Sequence, residues 1–138
     1  MATRVSFQGT GANAPVTVQT GDSQLFALRG ANLNVTTDQA FTKNGVFTRY
    51  VVTRIVSRGL TGNALIAAGG VYTAAAKGGT AIVAAGQAWG ALSALDKTLT
   101  LTLAALADIL TATPILSLTT AAGGAATADV LIYGVVLD

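Results

Sequence analysis

The 138-residue chain reads as an all-β protein, a jelly roll or similar antiparallel β-sandwich of about eight strands. Three observations lead there. Short runs that alternate apolar with polar or β-branched residues recur along the chain. Turn signals built from Gly, Asn and Asp separate these runs at intervals of about 8 to 14 residues. The composition is 51% hydrophobic and only 10% charged, against about 25% charged in an ordinary soluble protein. A core is therefore available, and the composition argues against disorder.

Residues 1–13, "MATRVSFQGTGAN", are polar with Gly9 and Gly11 and are expected to form an N-terminal arm or loop. Residues 14–138 are expected to form a single domain. "APVTVQT" (14–20) alternates Val16 and Val18 with Thr17 and Gln19 as a short strand, and "GD" (21–22) is turn chemistry. "QLFALRG" (24–30) is a second strand and "NLNVTT" (32–37) a candidate third. Asn44-Gly45 is a strong hairpin signal. "VFTRYVVTRIVSRG" (46–59) is the clearest long strand, rich in β-branched and aromatic residues, yet neither of its faces is wholly polar.

Residues 64–77 and 80–92 are two further strands, divided by Gly78-Gly79 and bent or bulged by their internal glycines. The alanines also allow a helix near 86–95. In "TLTLTL" (98–103) the leucines share one face and the threonines the other. A strand over 109–120 carries Pro114, which suits a bulge or an edge. The last strand, "ADVLIYGVVL" (128–137), is apolar on both sides: Val130, Ile132 and Val136 on one, Leu131, Tyr133, Val135 and Leu137 on the other. Its second face is covered either by another subunit or by loops of its own chain.

The residue inventory points away from catalysis. There is no His and no Cys, and all six acidic residues are Asp. No Ser-His or Cys-His pair, no zinc site built on His or Cys ligands and no disulfide can form. The aspartates are dispersed and read as turn formers. "KGGT" (77–80) has the wrong order for a phosphate-binding loop. No enzyme activity, cofactor or metal is expected. Residues 78–95 are uncharged but mostly Ala and Gly, too weakly apolar for a membrane span, and residues 1–13 lack the apolar core of a signal peptide. Net charge is only +2. Arg49 and Arg54 fall on opposite faces of a regular strand, which argues against one nucleic-acid surface. These arginines are either solvated or paired with a partner's carboxylates. Trp89 is either a core anchor or an interface hot spot. The candidate partner-contact residues are Arg49, Arg54, Trp89, Leu131, Tyr133 and Val135.

Two stretches, "YTAAAKGGTAIVAAGQAWGALSALDKTLTLTLA" (72–104) and "LTATPILSLTTAAGGAATADVLIYG" (110–134), resemble the small cement, or decoration, proteins of tailed phages, of the jelly-roll kind found in podoviruses. Together they cover somewhat under half of the chain. The resemblance implies a jelly roll that forms homo-oligomers, dimers in the first place. It implies a place on the outer surface of the virion capsid, where the protein bridges neighbouring major capsid subunits and stiffens the shell. It brings no active site. The other expectations open to such a sequence are a tail or fibre component and a carbohydrate-binding β-sandwich.

Overall fold

The computed structural model describes residues 22–104 and 108–138 in full, and residues 4–7 and 16–19 as strand backbone. Strands β1 (Arg4–Phe7) and β2 (Val16–Gln19) pair antiparallel as a two-stranded sheet, with Phe7 opposite Val16. The rest of the arm expected over 1–13 lies outside the described residues. The sandwich follows: β3 (Ser23–Asn32), β4 (Gln39–Ala40), β5 (Thr42–Lys43), β6 (Tyr50–Gly62), β7 (Ala68–Ala74), β8 (Gly78–Val83), β9 (Thr98–Leu101), β10 (Ile115–Thr120) and β11 (Ala126–Val136). Among the described residues there is no helix, so the segment near 86–95 is not helical.

The nine strands form two antiparallel sheets, ordered β5-β3-β11-β6-β9 and β4-β10-β7-β8. With the two-residue β5 set aside, eight strands remain and their pairing is nested. The first lies beside the last (β3 and β11), the second beside the seventh (β4 and β10), the third beside the sixth (β6 and β9), and the fourth beside the fifth (β7 and β8). That nesting is the jelly roll, two interlocked Greek keys folded into facing sheets. The core between the sheets holds Phe26, Ile55, Val71, Ile82, Trp89, Leu116, Leu118, Val130 and Ile132, all fully buried. Phe26, Phe47 and Tyr50 meet edge to face, with ring centroids 5.0 to 5.8 Å apart, an arrangement favoured by the ring quadrupoles.

The mixed faces of the long strand have a geometric cause. Tyr133 pairs with Arg54, but Gly134 pairs with Val52, so Thr53 is an extra residue. A second irregularity sets Gly59 and Leu60 against Ala128 alone. Each extra residue reverses which parity points inward. The buried set on β6 is therefore Tyr50 and Val52, then Ile55 and Ser57, then Leu60. One consequence corrects the placement of the arginines. The bulge turns Arg54 to the same outward side as Val51, in phase with Arg49, where an unbroken strand would have opposed them.

Three local expectations also change. Residues 33–37 form a turn and a connection instead of a strand. Asn44-Gly45 does not join a hairpin: β5 pairs with β3, and the Asn44 amide and side chain donate to Leu25 O (2.7 Å) and Gln24 O (3.0 Å). Pro114 marks a boundary, since β10 starts immediately after it. The "TLTL" alternation holds in β9, where Leu101 is buried, Leu99 packs on the core, and Thr98 and Thr100 are exposed. Leu103 then leaves that sheet and bridges to Val83 of β8, closing the sandwich along this edge.

The β7–β8 turn places two non-glycine residues in the left-handed region, Ala76 at φ 56° and Lys77 at φ 60°. A Cβ there costs about 1–2 kcal/mol per residue. Asp38 holds the turn by accepting the Ala76 amide at 2.8 Å, and Lys77 Nζ donates to Ser117 Oγ at 3.0 Å. Ala76→Gly removes one Cβ without touching either bond. It is expected to raise stability by about 0.5–1 kcal/mol, seen as a higher urea midpoint at unchanged slope; an unchanged midpoint would refute the strain.

Candidate interaction surfaces

The aspartates act as staples between distant parts of the chain. Asp129 lies inside β11, at the irregularity, and accepts the Gly30 amide at 2.8 Å and Arg29 Nη1 at 3.4 Å. Asp22 accepts Thr53 Oγ1 at 3.1 Å and Arg54 Nε at 3.3 Å, which ties it to the bulge. Asp38 holds the β7–β8 turn as above. Asp138 accepts the amides of Thr48 and Arg49 and the Thr48 hydroxyl. Because turn-forming Asp is so common, sequence reasoning missed these long-range roles. Asp129 carries the one available signal, its place inside an otherwise apolar strand.

The Thr48 hydroxyl and the Arg49 and Thr48 amides hold the Asp138 carboxyl at a pKa of about 2, below its ordinary 3.8. A carboxylate with a lowered folded pKa adds stability that is complete above its unfolded pKa and is lost as pH falls through the folded one. Stability is therefore expected to fall between pH 4 and pH 2. Asp138→Asn, which cannot titrate, is expected to reduce the steepness of that fall. Denaturant midpoints measured across this window check it, and equal slopes in the two proteins would refute it.

The six sequence-predicted contact residues divide. Trp89 is 0% exposed in the core, where Nε1 donates to Gly69 O at 3.1 Å. Leu131 lies on the outward side of β11, opposite Ala27 and Val56, yet is 1% exposed within the single chain. Neither offers a partner a free surface. Tyr133 and Val135 are half-buried on the same outward side, and Tyr133 lies under the Arg54 guanidinium at 4.2 Å. Arg54 thus stacks on Tyr133 while paired with Asp22. Arg49 is exposed beside Leu137, with Nη2 at 3.5 Å from the Leu137 carbonyl. The structure brings Arg54 into contact with Tyr133, sets Leu131, Tyr133 and Val135 along one outward side of β11, and keeps Trp89 in the core.

What sequence reasoning did not single out is the distribution of exposed apolar side chains. Among the described residues, Val46, Leu65, Ile66, Leu95, Ile109 and Leu137 are the exposed large hydrophobics. All six lie outside the strands, three toward each end of the sandwich. Leu65 and Ile66 lie in the β6–β7 connection, and Leu95 in the β8–β9 connection that leaves from and returns to the same end. Val46 precedes β6 at the other end. Ile109 adjoins Leu110, which bridges to Tyr50, and Leu137 donates its amide to Arg49 O. At the first end, Asn63, Leu65, Ile66 and Ala122–Ala125 line an open hollow of about 250 Å³.

Among the described residues no three metal-ligating side chains converge, and no helix is long and apolar enough to cross a membrane. Fold and surface together define an antiparallel jelly-roll sandwich with apolar side chains displayed at both ends. No protein-family model matches the chain, and no curated protein or solved structure matches it at a significant level.

Proposed function

We propose that this is a virion structural protein, a capsid cement or decoration protein. It binds the outside of a phage head, bridges neighbouring major capsid subunits and associates with copies of itself. The supporting observation is the two-ended display of apolar side chains on a jelly roll. Monomers rarely expose large apolar groups together, and contacts at opposite ends suit a protein that spans two neighbours. The residue types agree: no His, no Cys and no Glu, with low charge that favours standing association. The resemblance of residues 72–104 and 110–134 to phage cement proteins points the same way. Bridging requires neither cofactor, nucleic acid nor membrane.

The test is co-sedimentation of the purified protein with phage heads from which it has been stripped, followed by heating of the decorated and bare heads. Saturable binding and a higher disruption temperature are expected. Binding to tails in place of heads would replace this function with the tail-component one, and binding to neither would overturn it.

A further inference from the structure

We propose that Asn44-Gly45 is a site of spontaneous covalent modification, at which the asparagine loses its side-chain amide and becomes aspartate or isoaspartate. The proposal goes beyond the capsid function and does not depend on it.

The reaction needs a side-chain amide carbon and a main-chain nitrogen able to attack it. The Gly45 nitrogen adds to Asn44 Cγ and the Cγ–Nδ2 bond breaks. Ammonia leaves with the proton that the Gly45 amide gives up, and a five-membered succinimide ring remains. Water then opens the ring. Aspartate forms when the new Cγ–N bond breaks, and isoaspartate when the original peptide C–N bond breaks. Water is the sole co-reactant, and nothing is oxidised or reduced.

The structure singles out this asparagine. The others are Asn13, which lies outside the described residues, Asn32, Asn34 and Asn63. Asn32 precedes Leu33, whose amide is committed to Ala126 O at 2.8 Å. Asn34 and Asn63 precede Val35 and Ala64, each with a Cβ crowding the nitrogen that would attack. Asn44 alone precedes glycine. Gly45 is exposed, and among the described residues its amide donates to no group. A Cβ built on it would meet nothing within 4 Å, so a ring has room to form and water has room to reach it. Its φ of 111° is one that glycine holds without the steric cost of a side chain.

One bond restrains the reaction and also sets its consequence. Asn44 Nδ2 donates to Gln24 O at 3.0 Å, beside the bond from the Asn44 amide to Leu25 O at 2.7 Å. The first must open before Cγ can meet the Gly45 nitrogen, so the rate follows local opening at this edge of the sheet. After conversion an ionised carboxylate, which only accepts hydrogen bonds, stands where a donor faced the Gln24 carbonyl. Isoaspartate also lengthens the main chain by one methylene directly after β5. Either product loosens the edge of β3 beside the hollow of about 400 Å³ that Gln24, Leu25, Asn44 and Val46 help to line.

The experiment is incubation of the full chain at mildly alkaline pH, folded and in urea, followed by peptide mapping with isoaspartate detection. In the folded protein residue 44 is expected to convert at least about tenfold faster than any other asparagine. Urea is expected to speed it further, because the bond to Gln24 O is gone. Gly45→Ala is expected to slow it about tenfold or more. That comparison is also made in urea, where the folding of the variant plays no part. Another asparagine converting first, or equal rates in Gly45→Ala, overturns the proposal. So does a folded chain that stays intact while the chain in urea converts, since the fold would then protect the site. Asn44→Asp, which carries one of the two products, is expected to have a lower urea midpoint than wild type. An unchanged midpoint overturns the loosening of the β3 edge.

Discussion

Trp89→Ala is expected to destabilise the sandwich by about 4 kcal/mol, within the range for deleting a fully buried aromatic side chain. A domain of this size has a total stability of about 5–15 kcal/mol, so the variant sits near the threshold of folding. Trp89 lies outside the regular strands, in the connection between β8 and β9, yet it is 0% exposed. Backbone bonds hold it there. Its amide donates to Ala67 O at 3.0 Å, and Gly69 donates to Gln87 O at 2.9 Å. These bonds seat the connection along the start of β7, and the indole N–H finds Gly69 O. Truncation leaves a cavity that those bonds prevent from closing, and it leaves the Gly69 carbonyl without its donor. Leu95→Ala in the same connection is expected to change stability by no more than about 0.5 kcal/mol, because Leu95 is exposed. Urea unfolding of both variants checks the contrast. A loss below about 1.5 kcal/mol for Trp89→Ala would show that the connection collapses around the vacancy and is not anchored.

Gly134→Ala is expected to be as damaging, although it adds only a methyl group. A Cβ at Gly134 would lie 2.0 Å from the Val51 carbonyl oxygen and 2.8 Å from Leu25 Cδ1. The leucine methyl can move. The carbonyl belongs to β6, beside the Thr53 bulge, and cannot swing away without separating β11 from its neighbour at the centre of the larger sheet. The expected cost is about 3 kcal/mol or more, at the high end of overpacking. The double variant Gly134→Ala with Leu25→Ala tests the cause. It is expected to stay at least as unstable as the single one, because the side-chain clash is gone and the backbone clash remains. Recovery in the double variant would assign the clash to Leu25. Gly124→Ala, in open space, serves as the control and is expected to stay within about 0.5 kcal/mol of wild type.

The parts of the fold that were readable in advance are those governed by neighbours in the chain. Period-two alternation needs only adjacent residues, so β9 could be read down to its faces. Leu99 and Leu101 turn inward and Thr98 and Thr100 outward because no bulge interrupts that strand. Apolar composition and turn spacing likewise sufficed for an all-β sandwich. Local signals failed where a distant partner outweighed them. Asn44-Gly45 has the turn chemistry of a hairpin, but β3 captured the strand before it. "NLNVTT" has strand-forming residues, but the side chain of Gln39 pairs with both the amide and the carbonyl of Asn32, at 2.8 and 2.9 Å, where β3 ends.

The contact surfaces were less readable for the same reason. Residue types alone removed histidine and thiol chemistry and marked the chain as low in charge. Whether Leu131 is covered, whether Arg54 faces the same way as Arg49, and whether Leu65 and Ile66 are displayed depend on register between strands some 80 residues apart. A bulge has no sequence motif of its own at Thr53. It exists because β11 pairs with β6 on both sides of that residue while skipping it, and each skip reverses the inward face. Composition and alternation, set by neighbouring residues, thus determined the all-β fold class and the faces of an unbroken strand such as β9. Long-range pairing decided which of those side chains are enclosed and which remain at the surface.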